Sequence, residues 1–99
     1  MIVLFVINTK SAFTQNIGIN SSGATPDISA ILDINATNKG VLVPRVSLLS
    51  VTDVATIASP ANSLLVYNSN NGITGSGADG EGFYFWNATS NRWVKLLTG

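Results

Sequence analysis

The sequence predicts a mainly β fold, a small antiparallel β module with one short helix near residues 50–58. From Asn16 onward, short apolar runs alternate with segments rich in Gly, Asn, Ser and Pro, which is the pattern of an all-β domain. Asn, Ser and Thr make up 31 of the 99 residues, and charged residues only 10%. A typical soluble domain carries about a quarter charged residues. The chain therefore relies on amides and hydroxyls for its polar surface.

The amino terminus is a continuous apolar run over residues 1–7, followed by the small residues Ala12 and Thr14 before Gln15. A transmembrane helix needs roughly 20 apolar residues, so this run is too short to cross a bilayer. It fits either a buried strand or the end of a secretory signal peptide, although no basic residue precedes it. We favour a truncated signal peptide over residues 1–15, followed by a single β-rich module over residues 16–99.

Five strands are predicted, over residues 30–34, 41–46, 63–67, 82–86 and 93–97, and residues 87–92 connect the last two as a hairpin loop. Gly40 ends a turn before the second strand, and Pro44 within that strand cannot donate to a ladder, which places it on an edge or at a bulge. The long polar loop 68–82 offers nothing to bury and holds five glycines, so we expect it to be mobile.

The predicted helix rests on spacing and on its end signals. Ser50 and Asp53 form an S-x-x-D capping pattern, and Pro60 disfavours helix in the residue before it. The apolar residues recur at helical spacing, as Val51, Val54, Ile57 and Ala58.

Three of the strands are apolar on both faces: Leu42 and Val43, residues 64–66, and residues 83–86. Such strands need cover on both sides. A module of this size buries only about 60–65% of its unfolded surface, so it cannot supply all of that cover. The residues therefore predict a homo-oligomer with Leu42 and Leu65 at the subunit interface. A two-layer monomer, with the short helix covering one face, is the alternative.

The composition excludes most classes of enzyme and of metal site. The chain has no His and no Cys, which removes Ser-His-Asp and Cys-His catalysis, zinc ligation by those side chains and disulfides. Its net charge of zero gives no footprint for nucleic acid. Residues 75–80 match G-x-G-x-x-G, but a polar loop precedes them and an aromatic strand follows, which is the wrong context for a dinucleotide site. We predict no catalytic residue, no metal and no cofactor, and hence no enzyme.

Tyr84, Trp86 and Trp93 are large aromatics of the final hairpin. Such residues belong to a core or to a subunit interface. Alternatively, they form a stacking platform for a sugar ring, since Tyr and Trp combine an apolar face with a polar group. The second interpretation would make the chain a carbohydrate-binding module.

Several short segments follow one another along the chain: Asn16–Asn20 (NIGIN), Thr25–Asp27 (TPD), Ala30–Ile34 (AILDI), Lys39–Val46 (KGVLVPRV), Ser59–Asn68 (SPANSLLVYN), Gly82–Asn87 (GFYFWN) and Trp93–Val94 (WV). In this order, from residue 16 to 99, they resemble a module of secreted surface proteins from Bacteroidetes-type bacteria, and a similar pattern occurs in tail-fibre proteins of tailed phages. One departure is Ala88, where the family has a hairpin glycine, so a wider turn is expected.

The resemblance implies a fibre-like attachment protein that forms an intertwined or side-by-side homotrimer and has no enzymatic activity. It also implies a secreted, cell-surface or virion-fibre location, with a surface glycan or host receptor as a further partner. Whether the chain is bacterial or phage-encoded, and whether it is a fragment of a longer protein, stays open.

Overall fold

The computed structural model describes residues 16–97, so the predicted signal peptide over residues 1–15 lies outside the described residues and stays a prediction. The chain divides into two compact units between Gly40 and Val41. Residues 16–97 are mainly β and contain no helix, and therefore none long and apolar enough to cross a membrane.

The first unit holds two short parallel strands, β1 (Ile17–Ile19) and β2 (Leu32–Ile34). Its strand β1 was not predicted, and β2 begins two residues later than expected. Asn16 anchors the long connection between them, because its Nδ2 donates to the Ala30 carbonyl at 2.7 Å and to the Asp27 carbonyl at 3.2 Å.

Asp27 closes the turn at the end of this connection. Its Oδ1 accepts from the Ser29 hydroxyl at 2.6 Å and from the Ser29 N–H at 2.9 Å. These two hydrogen bonds lower the pKa of the Asp27 carboxyl below its ordinary value of 3.8, outweighing a small opposite effect of desolvation. A short polar side chain that bonds to a backbone N–H two residues on is a typical Asx turn.

The second unit is a four-stranded sheet in the order β3 (Arg45–Val46), β4 (Leu65–Asn68), β5 (Gly82–Asn87) and β6 (Arg92–Lys95). The pairs β4–β5 and β5–β6 are antiparallel, whereas β3–β4 is parallel. The prediction of a purely antiparallel module is therefore wrong. The long connection over residues 47–64 allows the parallel crossover that a tight turn could not make.

The strand ends differ from the predicted ones for local reasons. Strand β4 begins at Leu65 rather than at Ser63, because Ser63 takes a left-handed backbone conformation with φ of 74°. The edge position predicted for Pro44 agrees with the structure: its carbonyl accepts from Tyr67 N–H at 3.0 Å beside the edge strand β3. The turn after Asn87 spans four residues and ends at Asn91, with φ of 53°.

The helix predicted near residues 50–58 is wrong. Asp53 instead folds its segment into turns, because its carboxylate accepts from the N–H groups of Leu49, Ala55 and Thr56 and from the Thr56 hydroxyl, all between 2.6 and 2.9 Å. Side-chain bonds of this kind compete with helical backbone bonds. The backbone of Val51 pairs with its neighbours instead: its N–H donates to Thr74 O and its carbonyl accepts from Trp93 N–H.

The core of the second unit lies on one face of its sheet. Its buried apolar residues are Leu48, Val51, Val66, Ile73, Tyr84, Trp86 and Trp93. Ile73 belongs to the loop 68–82, so the expectation that this loop has nothing to bury is wrong. Asn68, at the start of the loop, is also fully buried; its Oδ1 accepts from Leu48 N–H and Asn70 N–H, and its Nδ2 donates to Gly80 O and Asn70 O.

Candidate oligomer interface

Side chains alternate between the two faces of the four-stranded sheet, as the pleat of β-strands requires. Val66 and Asn68 on β4 point to the buried, inner face, and Leu65 and Tyr67 point to the opposite, outer face. The same alternation along β5 sends Tyr84 inward and its sequence neighbours outward. The sheet therefore has one covered face and one partly exposed face.

The three aromatics singled out in the sequence lie on the inner face. The Tyr84 hydroxyl accepts from Asp79 N–H at 3.0 Å and donates to Gly80 O at 2.8 Å. The Trp93 indole N–H donates to Asp53 O at 2.8 Å, and its ring meets Trp86 edge-on at 5.3 Å between centroids. All three side chains are buried within one chain, which fits the core interpretation. A sugar platform needs an exposed ring face, and these rings present none.

The outer face carries a continuous set of apolar side chains, which we call the outer patch: Leu65, Tyr67, Phe83, Phe85 and Val94. The strand register sets Leu65, Phe85 and Val94 in one row across the sheet. Tyr67 and Phe83 form the next row, with their rings edge-on at 5.2 Å. Leu65 stays 40% exposed, and Phe83 is similarly open. Tyr67, Phe85 and Val94 are half-buried, so the patch has the apolar character of a core layer but is only partly covered.

The patch continues into a groove at the edge of the sheet. Val41, Leu42 and Val43 border this groove together with Tyr67 and Phe83, and its volume is about 340 Å³. Leu42 is 81% exposed. Arg45 also borders the groove, where its Nη1 donates to Val43 O at 2.9 Å. Leu42 and Leu65, the two residues predicted for a subunit interface, thus lie in the same unit as exposed apolar side chains.

Residues 16–99 match the family described as phage tail like trimerisation region. The match covers most of the chain. The chain belongs to this trimerisation-region family. No curated protein and no solved structure matches it.

Membership of the trimerisation-region family confirms the tail-fibre part of the resemblance. It makes the chain a structural, oligomerising module, and it fits the predicted trimer. The finer likeness to Bacteroidetes-type surface modules stays a prediction.

Away from the outer patch, an ion pair joins the loop 68–82 to β6. Lys95 Nζ lies 3.3 Å from Asp79 Oδ2 and donates to Asp79 O at 2.6 Å, a pairing that ties the loop to β6. Among residues 16–97, no three acidic side chains gather into a metal site. The exposed apolar side chains of the outer patch are suited to association.

Sequence reasoning missed two members of the outer patch, Tyr67 and Val94, whereas Phe83 and Phe85 fall within residues 83–86, which were predicted to be apolar on both faces. The available signal was the phase of the alternation: Val66 and Tyr84 turn inward, so the residues immediately before and after each of them turn outward. The sequence shows that both faces are apolar. Which residues share the uncovered face depends on the register between strands, and the register follows from the fold.

Proposed function

We propose that this chain is a non-enzymatic structural module that holds three copies together in a tail-fibre-like or cell-surface attachment protein, and that the copies meet through the outer patch and Leu42. One observation carries this proposal: a chain of the trimerisation-region family leaves one apolar face of its sheet partly exposed. The test is therefore whether that face is needed for assembly.

Burial of the outer patch between copies would supply the energy of association. Removing apolar surface from water contributes about 25 cal/mol per Å², and aromatic side chains carry the largest areas. The five side chains of the outer patch carry no charge, so the patch itself brings no charge into a closed interface. Arg45 lies at the edge strand, where its guanidinium can stay in water.

The attachment role rests on the family and on the resemblance to tail-fibre and surface proteins. A fibre places its binding surface far from its anchor, and a trimeric module joins the chains that form its shaft or head. We propose an extracellular or virion location on this basis. A surface glycan or host receptor would be bound elsewhere in the assembly, and no described residue is assigned to it.

The test is the molar mass of the chain by light scattering, compared with that of Leu65→Asp. We expect a trimer for the natural chain and a monomer for the variant, because an unpaired carboxylate in a closed apolar interface costs several kcal/mol. Leu65 points away from the core of its own chain, so the variant should keep its fold. Retained circular dichroism and tryptophan emission would show that it does.

Thr89→Asp is the matched control. It adds the same charge at an exposed position in the turn between β5 and β6, away from the outer patch. We expect it to remain a trimer. A monomeric natural chain at tens of micromolar would refute the proposal, and a trimeric Leu65→Asp would move the interface away from the outer patch.

A further inference from the structure

We propose that the first unit supplies a second interface, in which the apolar face of β1 and β2 packs against the same face of two other copies around the axis of the trimer. This inference rests on the proposed trimer. It assigns to residues 16–40 a core that is built between chains rather than within one.

The face consists of four aliphatic side chains, which we call the isoleucine face: Ile17, Ile19, Leu32 and Ile34. The parallel register sets Ile17 beside Leu32 and Ile19 beside Ile34, so all four point to one side of the strand pair. They are 42–56% exposed. A contiguous aliphatic face of this kind is a mark of an interaction surface in a folded protein.

The opposite side of the strand pair is already occupied by the connecting loop. Pro26 packs against Gly18, where an added Cβ would lie only 2.7 Å from Pro26 Cγ. Asp33, the register partner of Gly18, accepts from Asp27 N–H through its Oδ2 at 2.9 Å. The loop thus covers the side of Gly18 and Asp33, and it leaves the isoleucine face open.

The described part of the first unit, residues 16–40, has no core of its own. Residues 16–40 include no buried side chain, and their two strands are three residues long. An isolated two-stranded sheet is at best marginally stable in water. We therefore infer that another apolar surface covers the isoleucine face and stabilises these two strands.

A second and a third copy of the same chain fit that open side best. Only Asp27, Asp33 and Lys39 are charged between residues 16 and 40, and both carboxylates are engaged on or beside the loop-covered side. The isoleucine face thus offers no charge to select an unlike partner, while identical aliphatic faces can meet without repulsion. It also lies inside the segment that matches the trimerisation region.

The absence of cysteine makes a direct test possible, because any introduced thiol is the only one in the chain. Ile34→Cys places it on the isoleucine face, and Thr25→Cys places it on the exposed loop next to Pro26. We would measure the rate of modification by a maleimide reagent in the full-length protein, relative to the rate in denaturant. Light scattering on the same samples would record the oligomeric state.

We expect Cys at position 34 to react at least about tenfold more slowly than Cys at position 25 in the trimer, because thiol reactivity depends on access. In the Leu65→Asp background, where the assembly is lost, the two rates should become equal. A trimer in which position 34 reacts as fast as position 25 would overturn this inference and leave the proposed function standing. Slow modification that persists in the monomer would also overturn it, since the cover would then come from the same chain. A monomeric natural chain would overturn both proposals.

Discussion

The described residues of the two units use their apolar side chains differently, because only residues 41–97 build a core. Residues 41–97 bury seven large apolar side chains, whereas residues 16–40 bury none. The difference lies in the connections. In the second unit, the segments around Val51 and Ile73 return over the inner face of the sheet, whereas the connection in the first unit brings only Pro26 and Asp27 over the strands. Whether an apolar strand is covered by its own chain thus depends on the segments that link the strands.

The largest effect that separates the two units is expected from Trp93→Ala. Trp93 is buried, packs edge-on against Trp86 and donates its indole N–H to Asp53 O. Truncation of a buried tryptophan costs about 3–5 kcal/mol, a large share of the stability of a small domain. We expect urea unfolding at a much lower concentration, followed by the fluorescence of Trp86, the other of the two tryptophans.

The control for Trp93→Ala is Ile28→Ala in the first unit, where the side chain is 95% exposed. Its loss should change the free energy of unfolding by less than about 0.5 kcal/mol. Equal effects of the two variants would contradict the view that, among residues 16–97, only residues 41–97 build a core within the chain.

A smaller effect is expected from acid, and it should arise in the second unit. Burial acts to raise the pKa of the Asp53 carboxyl, but hydrogen bonds from Leu49, Thr56 and Ala55 outweigh it and lower the pKa to about 2. A carboxyl whose pKa is lower in the folded than in the unfolded state stabilises the fold above its unfolded pKa of 3.8, and that contribution disappears as the pH falls toward 2. The shift corresponds to about 2 kcal/mol.

Urea unfolding of the chain at pH values between 5 and 2 would measure this loss. Asp53→Asn should flatten the profile between pH 4 and 2. Asp27→Asn is the matched control in the first unit: the Asp27 pKa is also lowered, but its carboxyl is exposed, so solvent screens its contribution and the profile should change little. An unchanged profile in Asp53→Asn would refute the role given to Asp53.

The sequence was a good guide where the local pattern and the fold agree. Residues 83–86 predict a strand that is apolar on both faces, and β5 has one side in the core and one in the outer patch. Leu42 and Leu65 were predicted for a subunit interface, and both are exposed within the chain. Their place in an interface remains a proposal.

The sequence was a poor guide where a single side chain redirects the backbone. The spacing from Val51 to Ala58 favours a helix, but the Asp53 carboxylate binds the N–H groups of Leu49, Ala55 and Thr56 and stabilises turns instead. Strand β1 gave almost no signal because it is only three residues long and has Gly18 at its centre. Its pairing depends on contact with a loop that comes later in the chain.

That contact gives the most localised predicted effect, which is confined to the first unit. Gly18→Ala places a methyl group 2.7 Å from Pro26 Cγ, and the proline ring has little freedom to move aside, so the loop must shift off the strand pair at a cost of about 1–3 kcal/mol. We expect faster amide exchange over residues 17–19 and 32–34, with exchange in β4–β6 and the emission of the two tryptophans unchanged. Gly40→Ala is the control, because a Cβ there meets nothing within 4 Å. Faster exchange in β4–β6 as well would show that the two units unfold together, which would remove the contrast between residues 41–97, which build a core, and residues 16–40, which bury no side chain.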